Sequence, residues 1–192
     1  EFPVIEALED ADLLFLSVRR RALPEAQLDR IRNHLASGKP LVAIRTASHA
    51  FNIHGETPPP GHAVWPEFDR EVLGAQYRGH YDHEGGTGVR LGPDAADHPI
   101  VSGTDIEEFR SGGELYHSRE LGPATRLLLT GHAEADGESV SEPVAWTNDY
   151  QGARIFYTSL GHPADFEHAP FRTLLLHAVA WGLEHEIPSR SE

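Results

Sequence analysis

Apolar residues fall along this chain in two rhythms, and the alternation between them predicts its elements. Leu13-Leu14-Phe15-Leu16 follows the acidic stretch Glu9-Asp10-Ala11-Asp12 and ends at Ser17, a short unbroken apolar run of the kind a strand buried on both faces shows. Beyond Pro24, Leu28, Ile31 and Leu35 recur at i, i+3 and i+7, with Gly38 and Pro40 placed where a helix stops. That spacing predicts an amphipathic helix ending at Ser37. Leu41-Val42-Ala43-Ile44 then reads as a second buried strand, so the segment is a strand-helix-strand unit with a parallel crossover. Ligands on such sheets bind at the carboxyl ends of the strands, which here means Arg45 to His49.

The middle of the chain is less periodic. Residues 51–66 are rich in Pro, Gly, His and Asn and predict a loop, stiffened by Pro58-Pro59-Pro60 and carrying His54 and His62 as a lid over the same sheet edge. Residues 67–73 predict a short helix stopped by Gly74, and 75–81 a strand. Residues 82–113 predict short strands, such as 88–91, between Gly, Asp and Pro turns, and 114–117 a further short strand. In the last third, 125–130 predicts a strand, and 143–147 with 154–159 a hairpin turning over Asn148 to Gly152. Pro170 opens a helix whose Phe171, Leu174, Leu175, Ala178 and Trp181 form one face, ending near Glu184. Residues 1–187 read as one domain and 188–192 as a disordered tail.

Composition narrows the chemistry. At 192 residues one domain can bury a sizeable core, and the absence of Cys removes thiolate nucleophiles, Cys-ligated zinc and iron–sulfur clusters. Sixteen Lys and Arg against 30 Asp and Glu give a formal charge of −14, which argues against nucleic acid or an anionic membrane surface as partner and favours a small neutral or weakly polar ligand. No apolar run approaches the roughly 20 residues of a membrane span. The chain has no Met and opens on Glu1-Phe2-Pro3, so the expectation is that residues are missing in front. Nothing fixes an oligomeric state, and a homo-oligomer stays open.

Without thiols, candidate chemistry rests on histidines, carboxylates and an arginine. Arg45 ends an apolar strand and either pairs with a carboxylate or clamps a ligand oxygen. Ser48 lacks the glycines of a nucleophile elbow and reads as a cap of the following turn or a substrate contact beside His49. His80 and Asp82 share a face if their strand persists, and His80 with His83 forms an H-x-x-H pair that two metal ligands tolerate. In Glu114-Leu115-Tyr116-His117, Glu114 opens a strand after Gly112-Gly113, either as a general base or as a partner for Arg45. His162 follows a buried strand at a Gly161 turn. By position it is a site candidate, its alternative being a loop residue that caps the next segment. His34, His168, His177 and His185 read as packing or solvated residues, and His132 as outside the site.

Several of these pieces occur in one order that resembles a known family. Arg45-Thr46-Ala47-Ser48-His49-Ala50-Phe51, Trp65-Pro66 with Val72-Leu73-Gly74, Gly79-His80, His98-Pro99-Ile100, Pro143-Val144-Ala145-Trp146-Thr147 and Arg154 to His162 together resemble the ThuA-like family, named for trehalose utilisation. The resemblance implies a flavodoxin-like, three-layer α/β/α sandwich related to class I glutamine amidotransferases, with added short antiparallel strands. It also implies a further strand, helix and strand ahead of Leu13. The amidotransferase nucleophile is a cysteine after the strand matching Leu41 to Ile44. Arg45, Thr46 and Ser48 stand there instead, so glutaminase chemistry is excluded. Many family members carry Ile-His where this chain has Ile44-Arg45.

The family is associated with catabolism of trehalose and related disaccharides through 3-keto sugars. The resemblance therefore implies a small-molecule sugar substrate, handled by acid/base isomerisation or elimination and hydrolysis. On this reading His49, His80, Glu114 and His162 are catalytic, and Arg45, Ser48, Trp65 and Tyr81 bind substrate. His80, His117 and His162 are the set for a divalent metal. The alternative is a non-catalytic sugar-binding or regulatory module with Trp65 and Tyr81 as aromatic platforms.

Overall fold

A computed structural model describes residues 1–93 and 95–187, so the predicted disordered tail lies outside the described residues. In chain order the strands and helices are β1 (Leu14–Leu16), β2 (Leu23–Pro24), α1 (Glu25–Ala36), β3 (Leu41–Ile44), β4 (His62–Ala63), β5 (Gln76–His80), β6 (Thr87–Leu91), β7 (Arg110–Ser111), β8 (Tyr116–Arg119), β9 (Arg126–Ala135), β10 (Glu138–Tyr150), β11 (Ala153–Thr158) and α2 (Ala169–Gly182). Seven of the strands form one sheet in the order β1-β3-β11-β10-β9-β6-β7, while β2 pairs with β4 and β5 with β8. The strands β1, β3 and β11 run parallel, with Leu16 opposite Ala43 and Tyr157 opposite Ala43 on its other side. From β11 outward the sheet is antiparallel.

The parallel part is buried on both faces, which is why its strands read as continuous apolar runs. Leu41, Ala43, Ile155 and Tyr157 point to one core, where Leu28, Ile31 and Leu35 of α1 cover them. Val42, Ile44 and Phe156 point to the other, under Phe171, Leu174 and Ala178 of α2. Three layers result, as the flavodoxin-like reading expects. No helix among the described residues is long and apolar enough to cross a membrane.

Burial rather than capping defines α1. Its N-terminus has no side-chain cap, whereas each fully buried Leu or Ile contributes about 1.5–3 kcal/mol. Its end is set by Gly38, whose φ of 80° lets the Gly38 N–H reach Leu35 O (3.0 Å) and the Lys39 N–H reach His34 O (3.4 Å).

Four expectations need correction, and one is the strand predicted over 114–117: β8 begins at Tyr116, which leaves Glu114 in the loop before it. The hairpin turn is tighter than the five residues 148–152. The strands run through Tyr150 and Ala153, and only Gln151 (φ 53°) and Gly152 (φ 84°) turn, both in the left-handed region that a two-residue hairpin requires. The strand predicted over 125–130 continues to Ala135, which places His132 inside it. The helix predicted over 67–73 is one wide turn, Asp69–Leu73. It is pinned to the sheet by the Trp146 indole N–H to Leu73 O (2.6 Å) and the Asn148 amide to Val72 O (3.0 Å). Both donors come from β10, far along the chain, so local periodicity carries no trace of them.

Trp146→Phe should therefore cost about 1–3 kcal/mol, because it leaves the buried Leu73 carbonyl without its donor. Urea unfolding monitored by circular dichroism checks this, and an unchanged midpoint would show that the bond contributes nothing net.

Candidate active site

The carboxyl ends of the parallel strands converge on Arg45. It lies directly after β3 with φ at 48°, a left-handed backbone that costs a non-glycine residue free energy unless its surroundings hold it. They do. The buried Tyr157 hydroxyl donates to Arg45 O at 2.8 Å, and the Ser48 hydroxyl donates to the same oxygen at 3.3 Å. The turn Arg45–His49 is thereby fixed, and the Arg45 side chain is aimed between β8 and the 111–114 segment. Arg45 Nη2 stands 3.6 Å from Glu114 Oε2, and the guanidinium lies over the Tyr116 ring at 5.4 Å. Arg45 Nη1 is buried and donates no hydrogen bond. A methyl group on Gly113 would collide with that nitrogen, so Gly113 is what leaves room for the arginine.

An aromatic wall stands beside the arginine. His49 stacks on Tyr77 with ring centroids 4.4 Å apart, Tyr77 meets Tyr116 edge-on at 4.9 Å, and His80 lies 6.3 Å from Tyr116. The Tyr77 hydroxyl is 3.4 Å from His80 Nδ1. Burial pushes His49 down to about pKa 4, helped by the positive charges of Arg20 and Arg19, so its ring is neutral at pH 7. Its Nδ1 lies 3.0 Å from the Ser48 hydroxyl.

His162 completes the rim. Asp165, wholly buried, accepts from the Gly161 and His162 N–H groups (2.9 and 3.0 Å), the Gly112 N–H (3.0 Å) and the Ser111 hydroxyl (2.7 Å). One carboxylate thus joins the loop after β11 to the loop before Glu114. A methyl group on Gly112 would sit 2.9 Å from His162 Nδ1. That nitrogen accepts the Ala164 N–H at 3.3 Å, which puts the proton of the neutral ring on Nε2.

The structure thus brings together Arg45, Ser48, His49, His80, Glu114 and His162. It does not bring Trp65, Tyr81 and His117 to them. Trp65 belongs to the core beside α1, edge-on to Phe68 at 5.3 Å and donating to Glu71 Oε2 at 2.8 Å. Because alternate strand residues face opposite ways, His117 turns away from Tyr116 and stacks on Tyr81 at 3.8 Å. Both face the buried Glu142, at 3.1 Å from the Tyr81 hydroxyl and 3.4 Å from His117 Nδ1. The trio His80, His117 and His162 therefore shares no centre, and no group of three or more His, Asp or Glu among the described residues is placed to hold a metal ion. His83 is occupied too, its Nε2 accepting the Leu115 N–H at 2.9 Å.

Sequence reasoning missed Tyr77, Tyr116, Asp165 and the glycine pair. Their side-chain types carry no signal of their own, although Gly112-Gly113 directly before a charged residue hints at a close approach.

A three-layer sheet with its polar groups gathered at the ends of the parallel strands defines a flavodoxin-like protein of the class I glutamine amidotransferase-like type, without that class's cysteine. The chain belongs to the ThuA family, described as trehalose utilisation, whose model matches residues 2–182. It is similar to a ThuA-like protein of Parabacteroides merdae (25% identity, TM-score 0.68, covering 96% of this chain and 74% of that one). A ThuA-like protein of Bacteroides uniformis (16% identity, TM-score 0.62, 92% and 71%) and a cytoplasmic protein of Salmonella typhimurium (16%, 0.59, 94% and 75%) share the fold. No protein of curated function matches the sequence significantly.

Two outcomes test this geometry. Asp165→Asn replaces a four-bond acceptor with a group that presents an NH2 to N–H donors, and should cost about 2–4 kcal/mol in chemical denaturation. His98, like His49, is pushed to about pKa 4 by burial. An unfolded histidine takes its proton near pH 6.5, so between pH 6.5 and 4 the unfolded chain binds more protons than the folded one. Stability should be full above that window and fall as pH drops through it, lowering the thermal midpoint by roughly 10 °C between pH 7 and 4.5. His98→Asn, which keeps an acceptor for the Ile100 N–H, should lose about half of that fall. An undiminished fall would mean that His98 is not one of the groups responsible.

Proposed function

We propose that this ThuA-family chain acts in carbohydrate catabolism on a sugar or glycoside already oxidised to a ketone, removing the proton beside that carbonyl. The observation that supports the reading is the half-exposed carboxylate of Glu114 next to a guanidinium, Arg45, with a buried N–H donor that no protein group takes. A carbonyl acidifies the neighbouring C–H, and the reaction then needs one base and one donor for the negative charge that develops on oxygen.

Glu114 takes the proton, the electron pair moves onto the carbonyl oxygen, and the Arg45 N–H groups stabilise it. In isomerisation the enolate oxygen takes a proton to give an enediol, the neighbouring hydroxyl gives up its own, and the former carbonyl carbon is protonated; in elimination the enolate reforms the ketone and expels a glycosidic oxygen two bonds away. The leaving oxygen needs a proton. His162 and His80, both on the rim, are the candidate donors, each from its imidazolium form. Addition of water to the unsaturated ketone completes a net hydrolysis. His49, neutral at pH 7, is assigned to orient Tyr77 and a sugar hydroxyl rather than to donate protons.

Incubation with 3-keto-trehalose in D2O, with and without chelator and followed by NMR, tests the reading. The expected result is consumption with deuterium entering beside the carbonyl. Glu114→Gln should slow it by about 10²–10⁴-fold and Arg45→Ala by about 10²–10³-fold. A rate lost on chelation would add a metal to the scheme. Sugar binding without turnover or exchange would favour the non-catalytic module.

A further inference from the structure

We infer that the outer face of α2 is an interface between two copies of this chain, packed antiparallel about a two-fold axis at Leu176. It involves no group of the Arg45 site and stands apart from the proposed function. The two helices that cover the parallel strands differ in what they show to solvent. On α1 the outward positions include Glu25, Asp29, Arg32 and Asn33, the charged face that an amphipathic surface helix carries.

On α2, Phe171, Leu174, Leu175 and Ala178 face the sheet, and the outward stripe is Ala169, Arg172, Thr173, Leu176, Ala180 and Leu183. Arg172 is the one charged residue of the helix. Leu176 is 67% exposed, and Phe166, just ahead of the helix, is 42% exposed. Arg172 Nη1 donates to Phe166 O at 2.7 Å, which keeps that residue at the N-terminal end of the helix. A helix apolar on all sides is an interior helix, yet only the sheet covers this one.

The stripe is its own complement. Ala169 and Leu183 lie equally far before and after Leu176, and so do Arg172 and Ala180. An antiparallel pair crossing at Leu176 therefore sets Ala169 against Leu183 of the second copy and Arg172 against its Ala180. Large side chains meet small ones, which lets the helix axes approach to about 8–10 Å. The charges match as well. Arg172 makes no ion pair among the described residues, and one turn beyond Ala180 lies the exposed Glu184, shared only with Arg154. Glu167 likewise falls opposite His185, and the helix dipoles oppose. A formal charge of −14 disfavours an anionic membrane surface as the occupant, whereas a closed two-fold needs no partner but a second copy. With 14 residues, roughly 21 Å of helix, the contact is smaller than the about 800 Å² per partner of a standard interface, so association belongs at about 1–100 µM.

Sedimentation equilibrium of the full chain from about 1 to 500 µM tests the inference, and a monomer–dimer equilibrium is expected. Leu176→Glu should weaken it at least about tenfold, because it places a charge at the two-fold axis. The thermal midpoint at low concentration should not move, since this side chain is open to solvent in the single chain. The chain has no cysteine, so introduced thiols report the geometry. Under mild oxidation Leu176→Cys should cross-link to itself, while Ala169→Cys and Leu183→Cys should link to each other when mixed and much less when alone. Asn33→Cys, on the outer face of α1, measures random collision. A monomer at every concentration, a dimer that Leu176→Glu leaves intact, or Leu176→Cys linking no faster than Asn33→Cys overturns the inference. So does binding of a monomeric chain to neutral lipid vesicles that Leu176→Glu abolishes, which would give the face to a membrane surface instead.

Discussion

Asp165 has no exposed surface and makes no ion pair among the described residues, so its carboxylate is stabilised in the interior by hydrogen bonds. Four of them come from two distant stretches of chain, Ser111-Gly112 and Gly161-His162. Together with the pairing of Ser111 to Thr87 of β6 and the Thr87 hydroxyl to Gly113 O (2.8 Å), that interaction sets where the 111–114 segment lies. It therefore decides where Glu114 meets Arg45, and where Gly113 leaves room for the guanidinium. Without it, the loop after β11 and the loop before β8 have no common anchor, and the site would be a set of side chains on unrelated loops.

The second constraint is the sheet itself. Covering β3 and β11 on both faces leaves only their carboxyl ends open to polar groups, and the chain turns there through a left-handed Arg45 whose carbonyl is held by Tyr157. The strain is local, and the bonds that offset it come from the neighbouring strand. The same buried geometry keeps His49 neutral at pH 7 and stacks it on Tyr77, at one end of the tyrosine wall.

Charge is distributed against the average. The chain is strongly acidic, yet Arg45 stands at the carboxyl ends of the parallel strands with a buried N–H group that no protein atom accepts, and Tyr81, His117 and Arg119 surround the buried Glu142 elsewhere. The second cluster is internally satisfied, since each group has a partner inside the protein. The first is not, which is why the chemistry is assigned there. Net charge sums over a surface, whereas recognition depends on the field at one place.

Much of the frame was legible in the residues. The apolar runs of β1 and β3, the 3.6-residue spacing of α1 and α2, and the stop at Gly38 follow from local chemistry, and so does the placement of Arg45 to His49 at a strand end. The ordered motifs from Arg45 to His162 likewise pointed to the ThuA family. Which candidates meet was decided only by long-range pairing. His117 and Tyr81 turned away because strand alternation at β8 sends them toward Glu142. Trp65 sank into the core because Phe68 and Glu71 lie over it. Asp165 and Gly113 became structural centres of the site through contacts that no spacing in the sequence encodes. Periodicity reports which face a residue takes relative to its own element. Only the packing of elements from distant parts of the chain brings Arg45, Glu114 and His162 to the same edge of the sheet.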